Sequence, residues 1–482
     1  MEQTETITIP LKEYQSLQST LVQLQHELAW LKRQLFGSKS ERYIPNDQQT
    51  ELDLNITKLE VEITEQNVTY TRTLTKKTSG HSRTEAPTHL PCDDIIIEPA
   101  EDISGCEKMG EEISWEYEYN PGSLFVRRYI RNKYVNKADG MIFIGRLPNR
   151  PVDKGNFGPG IMSTITTDKY LYHIPLHRQR EKYRNEYQVE FAESTFCDII
   201  SNTVFWLNPI YDLQKRRLVQ STYIQADETP IPVLTKNKSG KTHNGFYWVY
   251  FDPVFKNALF EYKSGRGREG PNVFLKDFKG ILQVDGYGGY NELAALPHIS
   301  RAGCMAHVRR KFEAALDSNR APSEYALSVI NRWFDIEREA QKHNLTHEHR
   351  CIMRNDIMKK EFDSFKEWMI KEASNHLPKS PTRKAIEYAL GQWNGFDVLF
   401  EDGRVELSNN LVENAIRPVA LGRKNYMFKG SEDAAQRGAV IYSIIATAKM
   451  HGKEPREYIR TLLKKLPNEK TASLDLYLPW NY

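Results

Sequence analysis

Between Thr222 and Val284 the chain strings together four β-rich runs: Thr222–Ala226, Gly245–Phe251, Asn257–Tyr262 and Gly280–Val284. A helix-like piece, Val273–Phe278, stands between the third and the fourth. Three sequential strands, a helix and a fourth strand read as an α/β sheet that opens with a meander. The rest of the chain has to be arranged around that sheet. Two long helical patterns follow, Ser323 to about Lys342 and Ile352 to Met369. A third opens at Ser380-Pro381, where Ser caps the helix and Pro takes its first position. Trp333, Phe334, Phe362, Phe365, Trp368 and Trp393 would give this block a core of its own, as an all-helical insertion in the α/β domain. The chain then returns through Val398–Phe400, a Glu-Asp-Gly turn, a short strand and a helix that begins near Asn410.

At ~150 residues per domain, 482 residues suggest about three domains. The N-terminal part looks different from the sheet region. Leu17, Leu21, Leu24, Leu28, Leu31 and Leu35 alternate steps of four and three, the seam of a coiled coil, so residues 11–36 are expected to pair with a second copy. The expected division is a zipper-like helix over 1–43, a polar linker over 44–91 and a small β-rich module over 92–152. Helices over 153–221 interleave Lys169, Tyr170, Tyr172, His177, Arg178, Arg180, Lys182, Tyr183 and Arg184, which suits contact with a nucleic-acid backbone. A solvated basic face is the plain alternative. The α/β domain would then be split as 222–314 and 394–452 around the insertion 315–393, leaving 453–482 as a tail.

Charge and cysteine content narrow the class. Lys and Arg number 66 against 63 Asp and Glu, a net +3 that excludes a histone-like basic coat but not a locally basic groove. The five cysteines are scattered and never form a CxxC pair, which argues against a disulfide framework and for a reducing cytoplasm. The longest apolar run, Gly438–Ala448, falls short of the ~20 residues that span a bilayer, and no signal-peptide pattern opens the chain. A soluble intracellular protein without membrane partners is expected.

Three acids stand at informative places. Asp227 is read as ending the first strand, Asp285 as ending the fourth, and Glu413 as lying in the first turn of the late helix. Two strand-end acids met by a helical one would make an oxygen-rich pocket suited to Mg²⁺, and two such ions support in-line attack on a phosphodiester. Each acid also has a plain reading: Asp227 can cap a turn, Asp285-Gly286 is a good hairpin dipeptide, and Asn410-Leu-Val-Glu413 resembles a capping box. Arg309, Arg310 and Lys311 follow the next strand candidate, and Arg417, Arg423 and Lys424 follow Glu413. Residues 403–470 carry 13 Lys and Arg against 7 Asp and Glu, a local basic excess suited to DNA phosphates.

The runs Ala226-Asp-Glu-Thr-Pro230, Val284-Asp-Gly-Tyr287 and Cys304-Met-Ala-His-Val-Arg-Arg-Lys-Phe312 resemble the transposases of the insertion sequence 66 family. Ser408-Asn-Asn-Leu-Val-Glu-Asn-Ala-Ile-Arg-Pro-Val-Ala-Leu-Gly-Arg-Lys-Asn425 is the most specific of the matching segments. Leu35-Phe-Gly-Ser-Lys-Ser-Glu-Arg42 and Leu478-Pro-Trp-Asn481 are similar as well, so the likeness runs over nearly the whole chain. The resemblance implies an RNase H-like core, a DDE triad at Asp227, Asp285 and Glu413, and two Mg²⁺ ions for which Mn²⁺ can substitute. It further implies nicking of element ends and joining of the 3′-hydroxyl to target DNA. Accessory proteins encoded by the element and a bacterial, nucleoid-associated location follow from the same likeness. The alternative is a DNA-binding relic or regulator that does not cut. The family's zinc module is not matched: Cys106-Glu-Lys-Met109 and Tyr134–Asp139 lack the paired ligands, so a zinc-free remnant is expected.

Overall fold

The computed structural model describes residues 148–482 apart from 153–154, 236–239 and 470, together with 122, 124–127 and two short strands further back. The chain divides into two units, residues 50–131 and the remainder, and every element named below belongs to the larger. The leucine seam, the polar linker and Cys106 lie outside the described residues. Of the small β module, strands β1 (Lys133–Val135) and β2 (Ile142–Ile144) pair antiparallel, with Lys133 opposite Ile144.

The main sheet has five strands: β3 (Tyr223–Leu234), β4 (Thr242–Asp252), β5 (Asn257–Lys263), β6 (Gly280–Gln283) and β7 (Ile299–Ala302). Their order is β5-β4-β3-β6-β7. The first three form the expected antiparallel meander, and β6 and β7 join parallel to β3. The connecting helix is Glu269–Phe274, a few residues earlier than the sequence pattern placed it.

Ahead of the sheet come α1 (Pro159–Tyr170), α2 (Leu176–Tyr187) and α3 (Glu193–Val219). After it come α4 (Met305–Ala315), then α5 (Arg320–Lys342), α6 (Lys359–Ala373) and α7 (Pro381–Gln392) of the insertion. The Ser380 hydroxyl caps α7 by accepting from the Arg383 N–H, as its sequence suggests. The last three are α8 (Asn410–Tyr426), α9 (Glu432–Met450) and α10 (Pro455–Lys465).

Side chains alternate across β3, so Tyr223 and Ile224 serve opposite faces. On one face Tyr223, Ile281 and Ala302 join Met305, Val308 and Phe312 of α4 and continue without a break into Trp333, Phe362, Phe365 and Trp393. The insertion therefore shares its core with the sheet instead of enclosing one of its own. On the other face Ile224, Ala226, Trp248, Tyr250 and Leu282 pack with Leu218, Phe274 and Tyr290. The apolar run noted in the sequence becomes α9, laid along the outer strand β5. There Ser443 Oγ accepts from Phe260 N at 2.8 Å and Thr447 Oγ1 from Ala258 N at 3.1 Å, so the open edge of the sheet is covered.

A further sequence reading needs correction. Val398–Glu401 is a turn of helix, and no strand follows it among the described residues. The carbonyls that a strand would offer to a ladder are taken by side chains: Arg354 donates to Leu399 O at 2.9 Å and to Val405 O at 2.7 Å, and Asn355 to Phe400 O at 2.8 Å. Residues 453–482 contain α10. Its Arg456 reaches α1, donating to Asp168 Oδ1 at 3.0 Å, while burial raises the Asp168 carboxyl against the pull of Arg456 and Lys182.

Candidate active site

Register explains how the first two acids meet. The parallel pairing of β3 with β6 runs Tyr223↔Ile281, Ile224↔Leu282, Gln225↔Gln283 and stops. Asp227 and Asp285 each stand two residues beyond a member of that last pair. Asp227 is not at a strand end as expected, because β3 goes on pairing with β4 as far as Leu234↔Thr242. It lies where one neighbour is lost and the other kept. Its carboxyl is pushed up to about 8, first by burial, then by repulsion from Glu228, with Asp285 and Glu413 adding to it. The Glu228 N–H, donating to Asp227 Oδ1 at 2.8 Å, offsets part of this.

Asp285 sits in a tight turn rather than a hairpin. Its Oδ1 accepts from Tyr287 N at 2.8 Å, its carbonyl accepts from Arg301 Nη2 at 2.8 Å, and a 3₁₀ turn follows at Gly288–Tyr290. Gly286 is required by packing: a Cβ there would come within 2.6 Å of the Tyr388 ring. Tyr388 belongs to α7 of the insertion, and its hydroxyl accepts from Gly286 N at 3.2 Å. Burial first, and then the Asp285 charge, push the Tyr388 phenol up to about 12.

Glu413 occupies the first turn of α8 and does not act as the capping residue of a box. Arg310 of α4 donates from Nη2 to both its carboxylate oxygens, at 3.1 and 2.8 Å, and His307 Nε2 lies 3.8 Å away. Of the six candidate DNA-contact side chains, Lys311, Arg417 and Lys424 are exposed. The other three make contacts inside the protein. Arg310 is on Glu413, Arg309 is buried with its Nε donating to Asn331 Oδ1 at 3.0 Å, and Arg423 donates to Thr229 Oγ1 at 2.9 Å and to Pro230 O.

Sequence reasoning passed over Glu228. Its side chain is only 3% exposed, and it accepts from Arg266 Nε at 2.9 Å and from the Tyr290 hydroxyl at 3.2 Å. Burial raises its carboxyl even so. Arg266 in turn lies 3.9 Å over the Tyr287 ring, so Glu228 ties the turn after Asp285 to β3. Its one sequence signal is adjacency to Asp227. Tyr388 and Arg301 carry none.

The chemistry of this donor set fits a hard divalent cation. Burial raises Asp227 first, and repulsion from the neighbouring acids, which a cation would relieve, adds to it. The amide of Asn409, wholly buried at the start of α8, has no hydrogen-bond partner among the described residues, and neither has Asn410 Oδ1. Buried amide groups of this kind are ordinarily satisfied by ordered water. Among the described residues, however, no three His, Cys, Asp or Glu side chains close on one point tightly enough to hold an ion. Arg310 supplies the positive charge that Glu413 faces.

Family profiles match most of the chain. The family profile described as "Transposase IS66 family" matches residues 154–437, which include Asp227, Asp285 and Glu413. "Transposase C of IS166 homeodomain" matches residues 23–95, and "IS66 C-terminal element" matches 443–480. Uncharacterized protein y4hP of Sinorhizobium fredii is 31% identical, over 96% of this chain and 89% of its own length. Uncharacterized protein y4jD of the same organism is 27% identical over 98% and 96%. No helix among the described residues is long and apolar enough to cross a membrane. The chain belongs to the IS66 transposase family.

Proposed function

We propose that the five-stranded sheet and its helices are an RNase H-like core, and that Asp227, Asp285 and Glu413 are the DDE triad of a DNA transposase. The chain would nick insertion-sequence ends and join the freed 3′-hydroxyl to target DNA. One observation carries the reading: two acids each stand two residues past the last parallel pair of neighbouring strands, and a third, from the first turn of α8, is close enough for its charge to act on Asp227. The strand order, with an antiparallel meander beside two parallel strands, supports the fold assignment.

When bound, a pair of Mg²⁺ or Mn²⁺ ions supplies activation of a water or 3′-hydroxyl and neutralises charge on the leaving oxygen. Asp227, Asp285 and Glu413 would hold them. The protein's own part is placement. Glu228 and Arg266 fix the strand and turn that carry the first two acids, and Tyr388 fixes the Asp285 turn from the far side. Exposed Arg417 and Lys424 on the helix of Glu413, with Lys311 on α4, offer phosphate contacts that hold DNA without reading its sequence. Pairing of two subunits through residues 11–36 would bring two ends together.

A second reading, a DNA-binding regulator that does not cut, draws on the Arg310–Glu413 ion pair, which engages the third acid. Purified full-length chain, labelled element ends and Mg²⁺ separate the two. Asp227→Asn, Asp285→Asn and Glu413→Gln should each abolish nicking and strand transfer while leaving end-binding nearly intact. Wild-type protein that binds ends but never nicks them would favour the regulator.

A further inference from the structure

Beneath the three acids runs an unbroken chain of buried and half-buried polar contacts that begins in the helical insertion. Glu337 of α5, a buried carboxylate, accepts from Arg354 Nε at 2.6 Å and from Arg350 Nε at 2.7 Å. Arg350 then forks onto Glu406, Nη1 to Oε1 and Nη2 to Oε2, both at 2.8 Å. The backbone of Glu406 passes the connection to the sheet: its N–H donates to the Tyr223 hydroxyl at 3.0 Å, and its carbonyl accepts from Gln283 Nε2 at 2.6 Å. Gln283 Oε1 accepts from Tyr223 Oη at 2.5 Å and from Gln225 Nε2 at 2.9 Å. Gln225 closes the circuit, Nε2 donating to Ser408 O at 3.2 Å and Oε1 accepting from Val412 N at 3.2 Å.

The positions matter more than the number of bonds. Gln225 and Gln283 are opposite each other in the last parallel pair, two residues before Asp227 and Asp285. Val412 immediately precedes Glu413. Both glutamine side chains are wholly buried, where an amide is kept only if its bonds are made. Two ordinary apolar residues would pack the strands equally well, but would not fix the 406–412 segment against them. A bidentate Arg–carboxylate contact adds direction as well as attraction.

We propose that Gln225, Gln283 and the Arg350–Glu406 pair are positioning residues, through which the helical insertion sets the distance of Glu413 from Asp227 and Asp285. This rests on the reading of those three acids as metal-holding. The network touches the backbones that carry the acids, never the acids themselves. Its loss should therefore loosen the site without removing a donor. Changes in outer-shell support of metal sites typically weaken the metal by about 10- to 100-fold.

The test uses the full chain and Mn²⁺ alone, without DNA, reading bound against free ion by electron paramagnetic resonance. Gln225→Met, Gln283→Met and Glu406→Gln are compared with wild type, with thermal melting and end-binding measured on the same samples. The expected result is a folded protein with DNA affinity retained and Mn²⁺ affinity lower by about 10-fold or more. If Gln225→Met or Gln283→Met fails to fold, Glu406→Gln decides, since it keeps the shape of the side chain. Folded variants with unchanged Mn²⁺ affinity would overturn the proposal, as would weakening that merely tracks the melting temperature. Asp227→Asn and Glu413→Gln serve as controls. If these also leave Mn²⁺ binding unchanged, the metal-holding reading of the triad fails; if they abolish it while the network variants do not, only the positioning role fails.

Discussion

Lys429 offers the sharpest energetic test of this structure, because two opposing effects act on one buried amine. It is 2% exposed, and its backbone bridges to the end of β3, N–H to Pro232 O at 2.8 Å and carbonyl from Leu234 N at 2.9 Å. Its Nζ has no hydrogen-bond partner among the described residues. Three rings surround it: Tyr170 at 4.5 Å, Tyr426 at 4.8 Å and Tyr442 at 5.5 Å. An ammonium in that cage would gain about 2 kcal/mol from cation–π attraction. Burial, and then the nearby Lys169 charge, hold the amine well below its ordinary range, so desolvation works against the charge that the cage would attract. A buried amine without a hydrogen-bond partner also costs about 1–3 kcal/mol. Lys429→Met keeps the length of the side chain and should stabilise the fold, by about 1–3 kcal/mol near pH 10.5 and by more as pH falls. The pH dependence has a definite sign. Between the lowered folded value and the ordinary 10.5, the unfolded chain binds more protons, so wild-type stability rises with pH. The advantage of Met is greatest at low pH and shrinks as 10.5 is approached. Urea unfolding of both proteins at several pH values, followed by tryptophan fluorescence, measures it. A Met variant less stable than wild type by more than about 1 kcal/mol, or a gap that does not change with pH, would mean a charged amine held by its rings.

Gly286→Ala should cost about 1–3 kcal/mol through overpacking against Tyr388 and depress nicking, with part of both restored in Gly286→Ala/Tyr388→Ala; melting and cleavage assays report this. Arg417→Ala and Lys424→Ala should each lower the salt slope of DNA binding by roughly one unit, while Arg309→Ala, buried at Asn331, should leave the slope unchanged and reduce stability. Glu337→Gln should lose about 3–5 kcal/mol at neutral pH, because it leaves Arg350 and Arg354 buried with a weaker partner. Burial raises the Glu337 carboxyl, but Arg354 and then Arg350 outweigh it and hold it below its usual 4.5. That stabilisation is present above about pH 4.5 and lost as pH falls through the folded value, so the gap between the two proteins should close in acid.

The sheet was legible because its strands are local: aromatic and β-branched runs bounded by turns declare themselves within a dozen residues. Asp285 and Glu413 were legible for the same reason, each beside a clear strand or helix start. What local pattern could not show was the partner of each group. Arg310 has the composition of a phosphate contact, yet it faces a carboxylate 103 residues away. Gln225 looks like an ordinary strand residue, and its significance depends on Val412, 187 residues on. The same distance in sequence explains why the Val398 segment and the core of the insertion were misread. Val398–Glu401 has strand-like composition, but side chains from 351–355 engage its carbonyls, and the aromatic residues of the insertion are completed by Tyr223 and Ile281 of the sheet.

The amide circuit under the acids also dictates an order of events in time. Asp227 and Asp285 are 58 residues apart and can be placed once β6 joins β3. The bonds that fix Glu413, by contrast, close loops of 183 and 187 residues and need α5, Arg350 and the whole insertion already in place. Contacts of such long range form late, after the local structure that supports them. A nascent chain, or one broken off before residue 413, would carry two of the three acids on a finished sheet and have nothing with which to complete them. On the proposed function, the ability to cut DNA then waits on the segment that carries Glu413 and on the insertion that holds it.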